Sequence, residues 1–330
     1  MRLFLIVILL AGIGLAGWVF VDPFALTQVI QAAPQVIGGL AIVAALLIGS
    51  GIIKRVLAPF LVAVVILLAA LMLGTAIRAD IAQLAPAGGQ QPLATVSTQL
   101  TLVSFTLDGA PEDTTPLTTW LREERPDIVV LRGGEGPQVA SVLEMSDLFT
   151  FVAPFPAESV GPADIPPVMV MSRLPIDGVE VLEPSDNSAA VVTTAIELGG
   201  ATLAVYAVAT EPGGGMAGQA RREQQLRSLV PGLRRDTRPV VLAGGLNFAP
   251  WMRVIRDVAN QADLAMGDDA QSIIMGGTSP GFLPPPAALS VDPILTGHGA
   301  RSLEFRSGPH FGGDRRPVLA RMEIAASRAQ

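Results

Sequence analysis

The nine residues PVVLAGGLN (239–247) join a short apolar run to a polar end that is rich in glycine. A short, continuous apolar run of this kind is typical of a strand that is buried on both faces. Two earlier segments, PDIVVLRGG (126–134) and AVYAVATEP (204–212), also change from apolar to polar residues at their ends. The fold can be inferred from the order of these strand-end segments.

Short apolar strands alternate with helices from about residue 100 onward. Helices are predicted at 115–124, 138–147, 217–233 and 251–259, the first because Leu117, Trp120 and Leu121 are spaced i, i+3, i+4. The pair Gly199-Gly200 predicts a hairpin turn. Strands are predicted at 100–107, 127–131, 168–171, 189–196, 202–209, 239–243, 290–295, 301–306 and 316–324. This alternation predicts an α/β domain with mixed sheets.

The same segments, together with SFTLDG (104–109), VMVMSRLPI (168–176), VDPILTGHG (291–299) and GGDRRPV (312–318), resemble the endonuclease/exonuclease/phosphatase superfamily. The resemblance covers about residues 98–324, and SRLPI, PVVLAGGLN and GGDRRPVLA are its most specific matches. It implies a DNase-I-like fold, a two-sheet α/β/β/α sandwich with binding loops at one end. It also implies phosphoester hydrolysis that depends on Mg²⁺ or Mn²⁺ held by carboxylates, with a His–Asp pair that moves protons.

Most of the reactive positions implied by this resemblance carry other residues here. Three are retained, and they are Asn247, Asp292 and Asp314. Five are substituted: Thr106 stands for Asn, Gly133 for the metal-binding Glu, Ala209 for a phosphate-contacting His, Gly245 for Asp, and Arg315 for the final His. We therefore expect no bound cofactor, or Mg²⁺ or Mn²⁺ beside Asp314 if the domain is active.

Nearby polar residues could replace the lost groups. Glu135 is an alternative ligand, although a carboxylate is also favoured at the start of a helix. Asp108 is another, although a solvated carboxylate before Gly109 fits a turn. His310 is a candidate for the missing base, whereas His298 is interpreted as a loop residue.

Arg315 has three interpretations. It can form an ion pair with Asp292 and exclude a divalent cation by its charge, because a guanidinium stays protonated and cannot act as a base. It can also form, with Arg316, an anion-binding site that holds phosphate without cleaving it. The third interpretation is an ordinary surface salt bridge.

The first 77 residues contain three uncharged apolar runs, at 3–21, 36–53 and 56–77, and each is long enough to cross a bilayer as a helix. A cleaved signal peptide is the alternative for the first run. Basic residues flank the first run at Arg2 and separate the other two at Lys54-Arg55, which predicts a cytoplasmic N-terminus. In a bacterial chain the anchor then lies in the inner membrane, and the residues that follow lie in the periplasm.

The predicted organisation is a three-span anchor (1–77), a linker (78–97), the family-like domain (98–324) and a short tail (325–330). Without Arg2, Lys54, Arg55 and Asp22, the later residues hold 19 basic and 28 acidic side chains, which disfavours nucleic acid as a partner. The absence of cysteine excludes disulfides and thiol chemistry.

The sequence predicts a catalytically degenerate domain that binds or scaffolds a protein or a phosphate-containing ligand at the membrane. Two alternatives remain open. One is an active metal-dependent phosphoesterase with a rearranged centre built from Asp314, Asp292, Glu135 and Asn247. The other is a purely structural membrane subunit.

Overall fold

The computed structural model describes residues 97–134, 136–153, 168–182, 189–211, 215–250, 252–266 and 291–325. The three predicted spans, most of the predicted linker and Glu135 lie outside these ranges. Within them, no helix is both long enough and apolar enough to cross a membrane.

The described residues form two six-stranded mixed sheets with helices outside them. The elements in chain order are β1 (Ser97–Thr106), α1 (Thr115–Glu124), β2 (Ile128–Arg132), α2 (Gly136–Leu143), β3 (Phe151–Ala153), β4 (Val168–Ser172), β5 (Ile176–Leu182), β6 (Ala190–Glu197), β7 (Thr202–Ala209), α3 (Gly215–Arg235), β8 (Val240–Gly245), α4 (Arg253–Ala262), β9 (Leu264–Ala265), β10 (Leu295–Gly297), β11 (Ala300–Ser307) and β12 (Val318–Ala325).

The first sheet has the strand order β11-β12-β1-β2-β4-β3, and the second has the order β5-β6-β7-β8-β10-β9. Each contains one parallel pair, β1 with β2 and β7 with β8, and α1 and α3 are the respective crossover helices. The remaining neighbours are antiparallel. The predicted α/β sandwich with mixed sheets is confirmed.

Apolar residues fill three layers between these elements. A large buried cluster joins residues such as Leu102 and Val130 of the first sheet to Val205 of the second, and continues to Leu226 of α3 and Ile255 of α4. A smaller cluster lies under α1 and α2 on the other face of the first sheet. The strands of the two parallel pairs are buried on both faces, as their continuous apolar runs indicate.

Most predicted elements match the structure, but two differ for clear reasons. The strand predicted at 290–295 was wrong: β10 begins only at Leu295, because Asp292 has a left-handed backbone (φ +59°) and Pro293 has no N–H to donate. The edge strand β5 was not predicted, because Pro175 and Gly178 interrupt its pattern. The hairpin turn at Gly199-Gly200 is confirmed, with positive φ at both glycines.

Candidate functional site

The carboxyl ends of the two parallel pairs converge at one end of the sandwich. Thr106 is paired with Arg132 at the end of the first pair, and Ala209 with Gly245 at the end of the second. The sheets are joined directly here, because the backbone N–H of Gly244 donates to Ser104 Oγ at 3.2 Å. We call the region between these strand ends the cleft.

Two of the three retained residues meet in the cleft. The backbone N–H of Asn247 donates to Asp292 Oδ1 at 2.6 Å, and Asn247 Nδ2 donates to Thr210 Oγ1 at 3.0 Å. Both Asn247 and Asp292 have left-handed backbones, with φ of +57° and +59°. Asn and Asp tolerate this conformation better than other non-glycine residues, but it is still less favourable than a right-handed backbone. Asp292 holds the N–H of Asn247, and the N–H of Asp292 in turn donates to the carbonyl oxygen of Phe248 at 3.2 Å.

Arg315 joins this pair, as one of its sequence interpretations predicts. Its Nη2 donates to Asn247 Oδ1 at 3.3 Å, and its Nη1 lies 4.0 Å from Asp292 Oδ2. The Arg315 side chain is 19% exposed, so this is a largely buried contact rather than a surface salt bridge.

The space beside Gly133 is occupied by the carboxylate of Asp108. A Cβ added at Gly133 would lie 1.8 Å from Asp108 Oδ1, and the φ of +71° at Gly133 also disfavours a side chain. Asp108 lies in the turn before Gly109, as one interpretation of the sequence predicts, but its carboxylate is also ion-paired. Its Oδ2 lies 2.9 Å from Arg132 Nη1, and its side chain is 37% exposed.

The space beside Gly245 is occupied by Arg132, a residue that the sequence analysis did not single out. A Cβ added at Gly245 would lie 1.9 Å from Arg132 Cδ and 2.4 Å from its Nε. The sequence feature that could have identified Arg132 is its position at the end of β2, an apolar strand that is buried on both faces. The Asp108–Arg132 ion pair thus fills the volumes beside both Gly133 and Gly245.

Arg132 is only 3% exposed, and its charge is set by its neighbours. Burial lowers the pKa of Arg132 below its ordinary value, and the nearby Arg315 adds to that effect, whereas the attraction of Asp108 and Asp292 acts in the opposite direction. Its Nε is buried without a hydrogen-bond partner. The centre of the cleft therefore contains a buried cation that is ion-paired with Asp108.

Asp314, the third retained residue, lies beside the turn that follows β1, where its backbone N–H donates to the carbonyl oxygen of Asp108 at 3.5 Å. It is exposed, and its carboxylate faces Gly109, whose added Cβ would lie 3.4 Å away. The preceding Phe311 anchors this loop against Trp120 and Phe105, with ring centroids 5.7 and 6.0 Å apart. The structure thus brings together only part of the predicted site.

The remaining candidates make local contacts. His310 Nε2 lies 2.9 Å from the carbonyl oxygen of Gly313 within its own loop, and Arg316 Nη1 donates to Gly308 O at 3.3 Å. Thr106 and Ala209 are buried strand-end residues. Thr210, which was not predicted, accepts from Asn247 and donates to the carbonyl oxygens of Gly245 and Leu246, and so ties β7 to β8.

A second polar cluster lies at the opposite end of the sandwich. Tyr206 donates to Asp236 Oδ2 at 3.0 Å, and Arg238 donates to both oxygens of that carboxylate. Burial, together with the hydrogen bond to Asp236, raises the pKa of Tyr206 to about 12. The ring nitrogens of His298 lie 2.6 and 2.9 Å from the carbonyl oxygens of Asp236 and Ala262. His298 is therefore a structural residue remote from the cleft, as predicted.

The cleft residues do not fit a divalent ion. Mg²⁺ and Mn²⁺ need several oxygen ligands around an open position. Here Asp108 is paired with Arg132, Asp292 accepts an N–H and faces Arg315, and the space next to Gly245 holds a guanidinium. In the part of the chain that the structure describes, no three His, Asp or Glu side chains are arranged to hold a metal.

Comparison with known proteins agrees with this fold. Residues 103–317 match the "Endonuclease/Exonuclease/phosphatase family". An endonuclease/exonuclease/phosphatase from Beutenbergia cavernae is 20% identical, with a TM-score of 0.54 over 70% of this chain and 73% of that one. A humanized TDP2 from D. rerio is 12% identical, with a TM-score of 0.57 over 68% of this chain and 98% of that one. The sequence matches no curated protein.

Proposed function

Because the chain belongs to the endonuclease/exonuclease/phosphatase family, we propose that its folded domain is a degenerate member that binds a phosphate-containing ligand or a protein without cleaving a phosphoester. The observation that carries this proposal is the position of Arg132, whose side chain fills the space of a Cβ at Gly245. An acid at position 245 could not coexist with this arginine.

Loss of hydrolysis follows from what the cleft residues can do. Metal-assisted hydrolysis needs an ion that stabilises developing charge and makes a nucleophilic hydroxide. The carboxylates of Asp108 and Asp292 are instead engaged by arginines and a backbone N–H. Arg315 cannot act as a general base, because its guanidinium stays protonated. Catalytic groups that act as a unit lose most of their effect when one is missing, so several losses leave little activity.

Retained binding is supported by the donors around Arg315. A guanidinium has five N–H donors in a fixed fork that matches phosphate oxygens, and charge-assisted hydrogen bonds of this kind are strong. Two of the Arg315 nitrogens face Asn247 and Asp292 at 3.3 and 4.0 Å, both longer than a good charge-assisted hydrogen bond. A phosphate at this position would gain shorter contacts than the present ones.

The location that we propose for this domain is the periplasmic face of a bacterial inner membrane. Three apolar runs precede the described residues, and the basic residues around them predict a cytoplasmic N-terminus. Fractionation of membranes from expressing cells tests this part separately. Recovery of the chain in the soluble fraction would contradict it.

An active phosphoesterase with a rearranged centre is the alternative, and one observation favours it. The Asp108 carboxylate lies beside Gly133, so an acid is still present close to the position where the family resemblance implies a glutamate. Its pairing with Arg132 argues against metal binding, but a ligand that displaced Arg132 would free it.

Catalysis is tested with the full-length chain, purified in detergent, on bis(p-nitrophenyl) phosphate in the presence of Mg²⁺ or Mn²⁺. We expect no turnover above the metal-only background. Metal-dependent turnover that disappears in Asp314→Ala would establish the alternative.

Binding is tested by calorimetry with inorganic phosphate as the probe. Arg315→Gln should weaken phosphate binding by roughly tenfold or more, because a charge-assisted contact is lost. The control is Arg321→Gln, since Arg321 is a 62% exposed arginine that is paired with Glu304 on β11. Equal effects of the two substitutions would exclude Arg315 from the anion site.

A further inference from the structure

Arg132 is far more buried than an ordinary arginine. Its side chain is 3% exposed and lies at the end of β2, where all five residues of the strand are buried. A charge is taken out of water at this position only where other charges compensate for it. The compensation comes mainly from Asp108, whose Oδ2 lies 2.9 Å from Arg132 Nη1, and Asp292 adds a longer-range attraction.

Arg132 contacts groups from both sheets. Asp108, its ion-pair partner, follows β1 in the first sheet, whereas Gly245, against which its Cδ and Nε pack, ends β8 in the second. A positive side chain at position 132 therefore joins the ends of both sheets, at the place where the family resemblance implies a divalent ion.

The glycines on either side show that the chain accommodates this arginine specifically. Gly245 leaves room for Cδ and Nε of Arg132, and Gly133 leaves room for the Asp108 carboxylate that pairs with it. A side chain at either position would displace one member of the pair. The four residues form a single co-dependent arrangement.

We propose that the Arg132 guanidinium is the resident cation of the cleft, which holds the Asp108 turn of the first sheet against Gly245 of the second in place of a divalent metal ion. The inference rests on the proposed function, in that the cleft is taken to be metal-free. It goes further by assigning the positive centre to one side chain and by making the integrity of the cleft independent of divalent ions.

The test separates the charge of Arg132 from its bulk. Arg132→Lys keeps a positive charge at similar length, whereas Arg132→Met keeps the length without the charge. We expect the full-length Lys variant to have a Tm about 4–8 °C above that of the Met variant. The same pair of substitutions at Arg253, which is 82% exposed, is the control and should show almost no difference. A Met variant at position 132 that is as stable as the Lys variant would overturn the proposal.

Mn²⁺ provides a second readout that does not depend on comparing the stability of variants. The wild-type Tm should not respond to Mn²⁺, because the Arg132 guanidinium already neutralises the Asp108 carboxylate. A wild-type chain that is itself stabilised by Mn²⁺ would refute the resident-cation role even if neither variant folded.

These outcomes are distinguishable from failure of the proposed function. Turnover of a phosphodiester by the wild-type chain would refute degeneracy without affecting the comparison between Lys and Met. Conversely, equal stability of the two variants would refute the resident-cation role of Arg132. It would not affect the proposal that the cleft is inactive and binds a ligand.

Discussion

Gly245→Ala is a small change that the structure predicts to be severe. The added methyl group would lie 1.9 Å from Arg132 Cδ and 2.4 Å from Nε, closer than real Cβ contacts allow. Arg132 has little freedom to move aside, because it is 3% exposed and ion-paired with Asp108. The substitution should therefore expel the guanidinium from its position.

The expected loss of stability in Gly245→Ala has two parts. Overpacking of a buried site costs about 1–3 kcal/mol of the free energy of unfolding. Loss of the ion pair adds about 1 kcal/mol, less than for a fully buried pair because the Asp108 side chain is 37% exposed. The total of about 2–4 kcal/mol corresponds to a Tm lower by about 5–12 °C for a domain of this size.

The assay is a double-mutant cycle on the full-length chain, measured by urea unfolding. In an Arg132→Ala background the clash no longer exists, so Gly245→Ala should cost less than about 0.5 kcal/mol. Gly232→Ala is the matched control, because a Cβ at that helical position meets nothing within 4 Å. It should be neutral or stabilising by up to about 1 kcal/mol.

An equal cost of Gly245→Ala in both backgrounds would refute this reasoning. It would mean that the methyl group is rejected by the backbone rather than by Arg132. A coupling energy of at least about 1.5 kcal/mol would support the assigned contact.

Three further predictions concern Gly133, the only tyrosine and the cleft residues with a left-handed backbone. Gly133→Ala should lower the free energy of unfolding by about 2–3 kcal/mol in the same urea assay, because the φ of +71° is left-handed and the added methyl group would clash with Asp108. Its control is Gly199→Ala, which has a φ of +56° and open space around it, and which should lower the free energy of unfolding by only about 1 kcal/mol. Tyr206 should ionise near pH 12 by absorbance at 295 nm, against about 10 in the unfolded chain, so its stabilising contribution is complete below pH 10 and is lost as the pH rises through 12; a midpoint near 10 in the folded protein would contradict this. Asp292→Ala should leave the N–H of Asn247 without its acceptor, lower stability by about 1–3 kcal/mol and speed hydrogen exchange of that amide; unchanged exchange would show that the contact is unimportant.

The sandwich could be predicted because its central strands can be recognised from their own sequences. Residues 128–132 and 240–245 are continuous apolar runs with a polar end, and the chain between neighbouring parallel strands contains a helix in each case. The amphipathic spacing of Leu117, Trp120 and Leu121 placed α1 at its observed bounds. Local patterns were sufficient here because burial on both faces requires them.

The centre of the cleft could not be predicted from local patterns. The sequence shows that position 245 is a glycine, but it does not show that the side chain filling the space beside this glycine comes from another strand, β2. Arg132 belongs to the same motif as Gly133 yet lies against Gly245, a contact that only the packing of the two sheets creates. The contact between Arg315 and Asp292 could be predicted because both residues belong to motifs of the same family resemblance.

The two ends of β1 lie at opposite ends of the sandwich, and this decides which attachment points leave the cleft accessible. Ser97 pairs with Ala325 of the last strand, while Thr106, nine residues further along β1, borders the cleft about 30 Å away. A surface that captures the protein beside Ser97 would therefore hold the end of the sandwich opposite the cleft and leave the cleft open to solvent. On a biosensor chip, coupling through that end should give full ligand access, whereas coupling through the Asp314 loop should block it.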